Sequence, residues 1–183
     1  LNGPSYLQKK PNLPAMDTEE KSGFDDFDGD KLKPDWIFPR TPEADGITVK
    51  DSKLIIKGSR CPLSSTSAKN ITVRRQPDFN FDAVCKLDLG IKLDSEQNYG
   101  MTGYYDENTY FTYGIYKNGD GYALKLFEKI DEDEKYTCTV DITEVTDSLY
   151  LKISTEGLKR TFSYSHDGKT FTEVYAAENL YYL

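Results

Sequence analysis

The chain has 183 residues and a formal charge of −8, from 31 acidic and 23 basic side chains, with 37% hydrophobic and 13% aromatic residues. That length fits one domain with a sizeable core. The acidic balance leaves no electrostatic footprint for nucleic acid or anionic lipid, and no apolar run approaches the roughly 18 residues of a membrane helix. Neither a nucleic acid nor a membrane is expected as a partner.

Residues 1–22 carry prolines at positions 4, 11 and 14 and little periodicity, the composition of a linker or an extended arm from a preceding domain. LNGPSYLQKKPNLPAM lacks the apolar centre and charge order of a signal peptide. From Gly23 the character changes. FDDFDGDKLKPDWIFPRTP mixes rings of a type usually buried (Phe24, Phe27, Trp36, Phe38) with turn chemistry at Asp28-Gly29. DDFDGD opens like a calcium loop, but no glycine follows Asp30 and no glutamate closes it. A structural Ca²⁺ held partly by backbone carbonyls stays open beside a plain turn.

ITVK, a Asp51-Ser52 turn and KLIIK predict a hairpin, with Ile47 and Val49 on one side and Leu54 and Ile56 likewise. The clearest alternation runs from Phe79 to Leu93. Its odd positions, Phe79, Phe81, Ala83, Cys85, Leu87, Leu89, Ile91 and Leu93, are apolar, and its even positions are almost wholly polar. This predicts a half-buried antiparallel strand. Further strands are predicted over 99–105, 110–116, 121–128, 136–142, 148–154 and 160–165. Turn residues separate them at 106–108, 118–121, 131–134, 156–157 and 167–168. Many short strands at this spacing indicate an antiparallel β-sandwich or barrel, with no helix and no fixed-period repeat.

The stretch YGMTGYYDENTYFTYGIY, residues 99–116, holds six of the 14 tyrosines. Phe111, Tyr113 and Ile115 share one face of its second strand; Tyr110, Thr112, Gly114 and Tyr116 share the other. One reading is core plus cross-strand pairing. The other is a concave ring-lined face on which sugars stack, with Tyr110 and Tyr116 facing the sugar.

Little here is catalytic. His166 is the only histidine and has no partner for a triad or a metal site. Nucleophile-elbow, Walker and dinucleotide motifs are absent. SHDGKTF is one residue short of the Asp-box of sialidases and reads as a hairpin turn. The three cysteines, Cys61, Cys85 and Cys138, follow no metal spacing, and Cys85 and Cys138 fall on apolar sides of strands.

Taken in order, FDDFDGDKL, DWIFPR, VRRQPDFNFDA, GMTGYYDENTYFTYGI and FSYSHDGKTF resemble the C-terminal concanavalin-A-like β-sandwich of glycoside hydrolase family 43. In β-xylosidases and α-L-arabinofuranosidases of that family this domain follows a five-bladed catalytic propeller. The likeness spans about residues 23–175 and implies a jelly-roll sandwich over 23–183. Because the family's catalytic carboxylates lie in the propeller, it implies no catalytic residue, no metal and no cofactor here. The implied partners are the N-terminal propeller and xylan- or arabinan-derived oligosaccharides, in a cytoplasmic setting. Trp36, Arg40, Arg75 and Gln76 match the motifs, and we infer for them a propeller-facing edge. The family's sandwich continues past FTEV, whereas this chain stops at ENLYYL, so its last strand or strands are expected to be missing. A free-standing carbohydrate-binding module and an oligomerisation domain are the alternative readings.

Overall fold

A computed structural model describes residue 12 and residues 23–90, 93–94, 97–142 and 147–178. The arm expected over residues 1–22 and the closing residues 179–183 fall outside the described residues, apart from residue 12. Among the described residues there are ten strands, β1 (Ile47–Lys50), β2 (Lys53–Ile56), β3 (Asn80–Asp88), β4 (Asn98–Tyr104), β5 (Thr109–Asn118), β6 (Gly121–Ile130), β7 (Asp133–Ile142), β8 (Ser148–Glu156), β9 (Lys159–Ser165) and β10 (Thr172–Ala177). There is no helix among the described residues. The strands form a β1–β2 ribbon and two four-stranded antiparallel sheets, β10-β9-β8-β3 and β4-β5-β6-β7.

The two larger sheets bury their inner faces against each other. Tyr113, Ile115, Leu124, Leu126, Leu149 and Leu151 are fully buried between them. Phe162 of β9 meets Phe111 and Tyr113 of β5 edge-on, at 5.3 and 5.2 Å between ring centroids. On β3 the odd positions are the less exposed ones, as the alternation predicts, with Leu87 buried and Cys85 packed on the core. The paired register ends at Asp88, with one further backbone bond from the Leu89 N–H to the Asp147 carbonyl at 2.9 Å, rather than running to 93. The Asp88 carboxylate accepts the Gly90 N–H at 2.9 Å and turns the chain out of the ladder.

Turn chemistry follows the sequence. Asp51 and Ser52 both take positive φ, the two-residue loop whose twist suits a hairpin. β10 is an addition to the predicted strands. A bulge between Glu173 and Tyr175 breaks its pairing with β9, which is why TEVYAA lacks clean alternation.

The Asp167 carboxylate organises the turn from β9 to β10, accepting the Lys169 and Thr170 N–H groups and the Ser165 hydroxyl, each at 2.8 Å. These bonds, Thr170's first, pull its pKa from 3.8 to about 2. The folded value is the lower one, so this stabilisation is fully present above pH 3.8 and is lost as pH falls through about 2. Asp167→Ala should therefore melt below the parent at pH 6, with the gap shrinking below pH 3.8 and closing near pH 2, as followed by thermal melts across that range.

Cys85 and Cys138 lie on opposite sheets and are free thiols, as is Cys61. Burial pushes the Cys85 and Cys138 thiols up in pKa, which keeps them protonated and slow to react.

Candidate functional site

The outer face of the β4–β7 sheet carries the second set of rings. Cross-strand register sets Tyr104 opposite Tyr110, Thr112 opposite Phe127, and Phe127 opposite Tyr136. The rings touch in a continuous row, Tyr104–Tyr110–Phe127–Tyr136–Tyr116, at centroid distances of 5.2–6.3 Å. Tyr110 is only 4% exposed, and Ser64 lies close to its hydroxyl. Its ring has no open side for a sugar. Tyr116 is half-buried, with the Lys125 ammonium 4.9 Å above its ring and 5.5 Å from Tyr136. Tyr136, at 60% exposed, is the open ring of the row.

The motif residues are placed by two crossing segments. Ile37 and Val73 exchange both backbone hydrogen bonds at 2.9 Å, which lays the Trp36 segment beside the one carrying Arg74, Arg75 and Gln76. Trp36 donates its indole N–H to Asp25 at 2.7 Å and packs on Phe27. Lys33 pairs with the same carboxylate at 3.0 Å. Burial alone raises the Asp25 pKa, but hydrogen bonds from Trp36, Lys33 and the Phe27 N–H outweigh it and the net shift is downward. The acid-rich DDFDGD run thus spends its best-placed carboxylate on protein donors.

Arg74, which sequence reasoning passed over, binds Asp35 at 3.1 Å and stacks its guanidinium over Trp36 at 5.5 Å. Arg75 and Gln76 are exposed, and Gln76 donates to the Asp78 carbonyl at 2.8 Å. Alternation explains the split: of two successive arginines on an extended segment, one faces Trp36 and the next faces water.

Arg40 goes elsewhere. It pairs with Glu107 of the β4–β5 turn at 3.2 Å and lies 6.0 Å from the Tyr104 ring. A cleft of about 310 Å³ opens beside it, lined also by Pro39, Thr66, Tyr105 and Asp106. The Trp36 segment lies beside the one carrying Arg75 and Gln76, but it is Arg74 that touches Trp36, and Arg40 is tied to a different loop.

These loops share one end of the sandwich. Arg160, next to the β8–β9 turn, lies 5.2 Å from the Phe111 ring near the β4–β5 turn, and the Phe79 carbonyl accepts the Gly157 N–H at 2.9 Å. At this end Phe79 is 70% and Tyr105 76% exposed, with Phe38 and Leu158 also open to water. Phe79, which the alternation puts on the apolar side of its strand, is a correction to the sequence reading, and so are Phe38 and Phe24 (72% exposed), rings of a type usually buried.

The model for the beta-xylosidase C-terminal concanavalin A-like domain matches residues 24–183. The chain belongs to that family. Its likeness to family members extends over nearly the whole chain. A protein of Escherichia coli (strain K12) is 26% identical over 181 residues, 95% of this chain and 32% of its own length. The Bacteroides ovatus non-reducing end alpha-L-arabinofuranosidase BoGH43B is 28% identical over 154 residues, 83% of this chain and 29% of its own. Among solved structures, the GH43 protein BlXynB of Bacillus licheniformis superposes with a TM-score of 0.84 at 31% identity, over 97% of this chain and 34% of that one. The concanavalin A-like domain described here thus spans about a third of the length of the curated relatives it matches.

Proposed function

We propose that this chain is the non-catalytic C-terminal sandwich of a family-43 glycoside hydrolase acting on xylan- or arabinan-derived oligosaccharides. It braces a preceding five-bladed catalytic propeller and closes one wall of its pocket. One observation carries the reading: the two segments joined at Ile37 and Val73 leave Phe38 on one, and Arg75, Gln76 and Phe79 on the other, exposed to water. Exposed apolar groups rimmed by polar ones mark an interface, and an arginine fork is suited to a carboxylate across it. The relatives are about three times as long as this chain, which supplies a partner of adequate size.

In the longer polypeptide, Arg75→Ala and Phe79→Ala should each cost about 1 kcal/mol or more of interdomain stability, the scale of an interface anchor, and lower turnover of aryl xylosides or arabinosides. Calorimetry and steady-state rates measure both effects. The 183-residue chain alone should hydrolyse neither substrate. Turnover by that chain, lost when one of its own Asp or Glu residues is replaced, contradicts the reading.

A further inference from the structure

The outermost strands of the two larger sheets are β10 and β3 in one and β4 and β7 in the other. The β10–β9 and β6–β7 ladders each break register once, and such bulges twist an edge away from further pairing. β3 is different. Its nine residues pair with β8 in unbroken register.

The direction of its backbone groups follows from its two ends. The Phe79 carbonyl accepts the Gly157 N–H, and the Leu89 N–H donates to the Asp147 carbonyl, each at 2.9 Å. The odd positions therefore bond to β8, and in an antiparallel ladder the even ones point the other way. That puts the N–H and C=O groups of Asp82, Val84 and Lys86 on a side where no described strand pairs with them. The Lys86 carbonyl accepts a long 3.8 Å contact from the Cys85 thiol, a weak donor. All three side chains are exposed, Val84 to 53% although it is apolar. A regular, open edge bearing an apolar side chain is a template for another strand.

The side chains say which strand. Asp82 pairs with Lys152 at 3.5 Å and Lys86 lies 5.5 Å from the Tyr150 ring, so both are held on the outer face of the sheet. Laid antiparallel to a second copy of itself about a two-fold axis at Val84, β3 sets each Asp82 opposite the other copy's Lys86. The two Val84 side chains stand side by side between these pairs. Opposite charges facing across a strand pair stabilise it. On the inner face the half-buried Ala83 meets Cys85 and Phe81 meets Leu87, apolar against apolar. Moving the axis to Asp82 or to Lys86 sets like charges opposite each other instead. The edge is thus self-complementary in one register, as a two-fold interface requires.

We propose that two copies of this chain pair through β3, joining their β10-β9-β8-β3 sheets into one continuous sheet. Val84 lies about 16 Å along the strand from Phe79, at roughly 3.3 Å per residue, so the pairing stands whether or not the other end braces a neighbour.

The test is sedimentation velocity of the 183-residue chain at concentrations on the order of 10 μM to 1 mM, where a reversible monomer–dimer equilibrium is expected. Val84→Pro removes the outward N–H and keeps every bond to β8, a position where an edge strand accepts proline. It should abolish the dimer while a thermal melt shows the fold intact. Asp82→Lys and Lys86→Asp each oppose like charges in their own dimers and should weaken association about tenfold. Mixed one to one, the two variants should recover the parent's association, because every facing pair is again opposite in sign; a merely structural role for either residue gives no such recovery. If Val84→Pro fails to fold, the charge-reversed pair decides alone. A monomer at every concentration overturns the proposal. So does a dimer that survives Val84→Pro or both charge reversals, or a mixture that associates no better than its two components.

Discussion

Tyr113→Ala should be the most damaging single truncation in the core, costing about 3–5 kcal/mol, as removal of a buried aromatic does. Tyr113 is 0% exposed, stands opposite Met101 and Leu126 in the two flanking strands, and meets Phe162 across the sandwich at 5.2 Å. Its removal opens a void in the middle of both sheets, which β-strands tied into ladders on each side cannot collapse to fill. The phenol hydroxyl behaves differently. It is buried with no hydrogen-bond partner, and burial holds its pKa far above the usual tyrosine range. Tyr113→Phe should accordingly be neutral or stabilising by about 1 kcal/mol, because it removes an unpaired polar group without changing the ring. Urea unfolding of the two variants measures both. A larger loss for Phe than for Ala contradicts this picture of the core.

Gly114→Ala should cost about 3 kcal/mol, at the upper end of overpacking effects. Gly114 pairs with Gly100 across the β4–β5 ladder. A Cβ on it would sit 2.5 Å from the Tyr99 carbonyl oxygen and 3.2 Å from the Gly100 Cα. Both obstacles are backbone, so relief requires β4 to move off β5. Gly119→Ala is the matched control. Its φ is +58° with nothing within 4 Å, so it bears only the roughly 1–2 kcal/mol of a left-handed residue. Denaturant midpoints that rank Gly119→Ala as the worse substitution contradict the close approach of β4 and β5.

The strands and turns of this sandwich, though not their order in the sheets, were largely legible because their signals are local. Alternation from Phe81 to Leu87 tells inner from outer face, and Asp51-Ser52 and Asp167-Gly168 mark turns within a few residues. β10 escaped because its bulge at Val174 shifts the pattern by one. The site was less legible for a physical reason: hydropathy reports what a ring favours, and where the sandwich ends decides whether that is met. Phe79 continues the apolar face of β3 in sequence, yet it lies one residue beyond the strand and 70% exposed. The Arg40–Glu107 pair joins residues 67 apart, a contact no local pattern announces. Arg74 was passed over in favour of Arg75 because the Ile37–Val73 bridge, which decides the side each faces, is equally non-local.

The central claim is that the end of the sandwich bearing Phe38, Arg75, Gln76 and Phe79 is covered by the domain that precedes it. Hydrogen exchange tests this most directly, comparing the 183-residue chain with the longer polypeptide. The account predicts that backbone amides over residues 36–40 and 73–79 exchange more slowly in the longer protein, while those in the middle of β5 and β6, already buried between paired strands, are unchanged. Equal exchange at residues 36–40 and 73–79 in the two proteins, or protection appearing instead over Tyr116 and Tyr136, would contradict it.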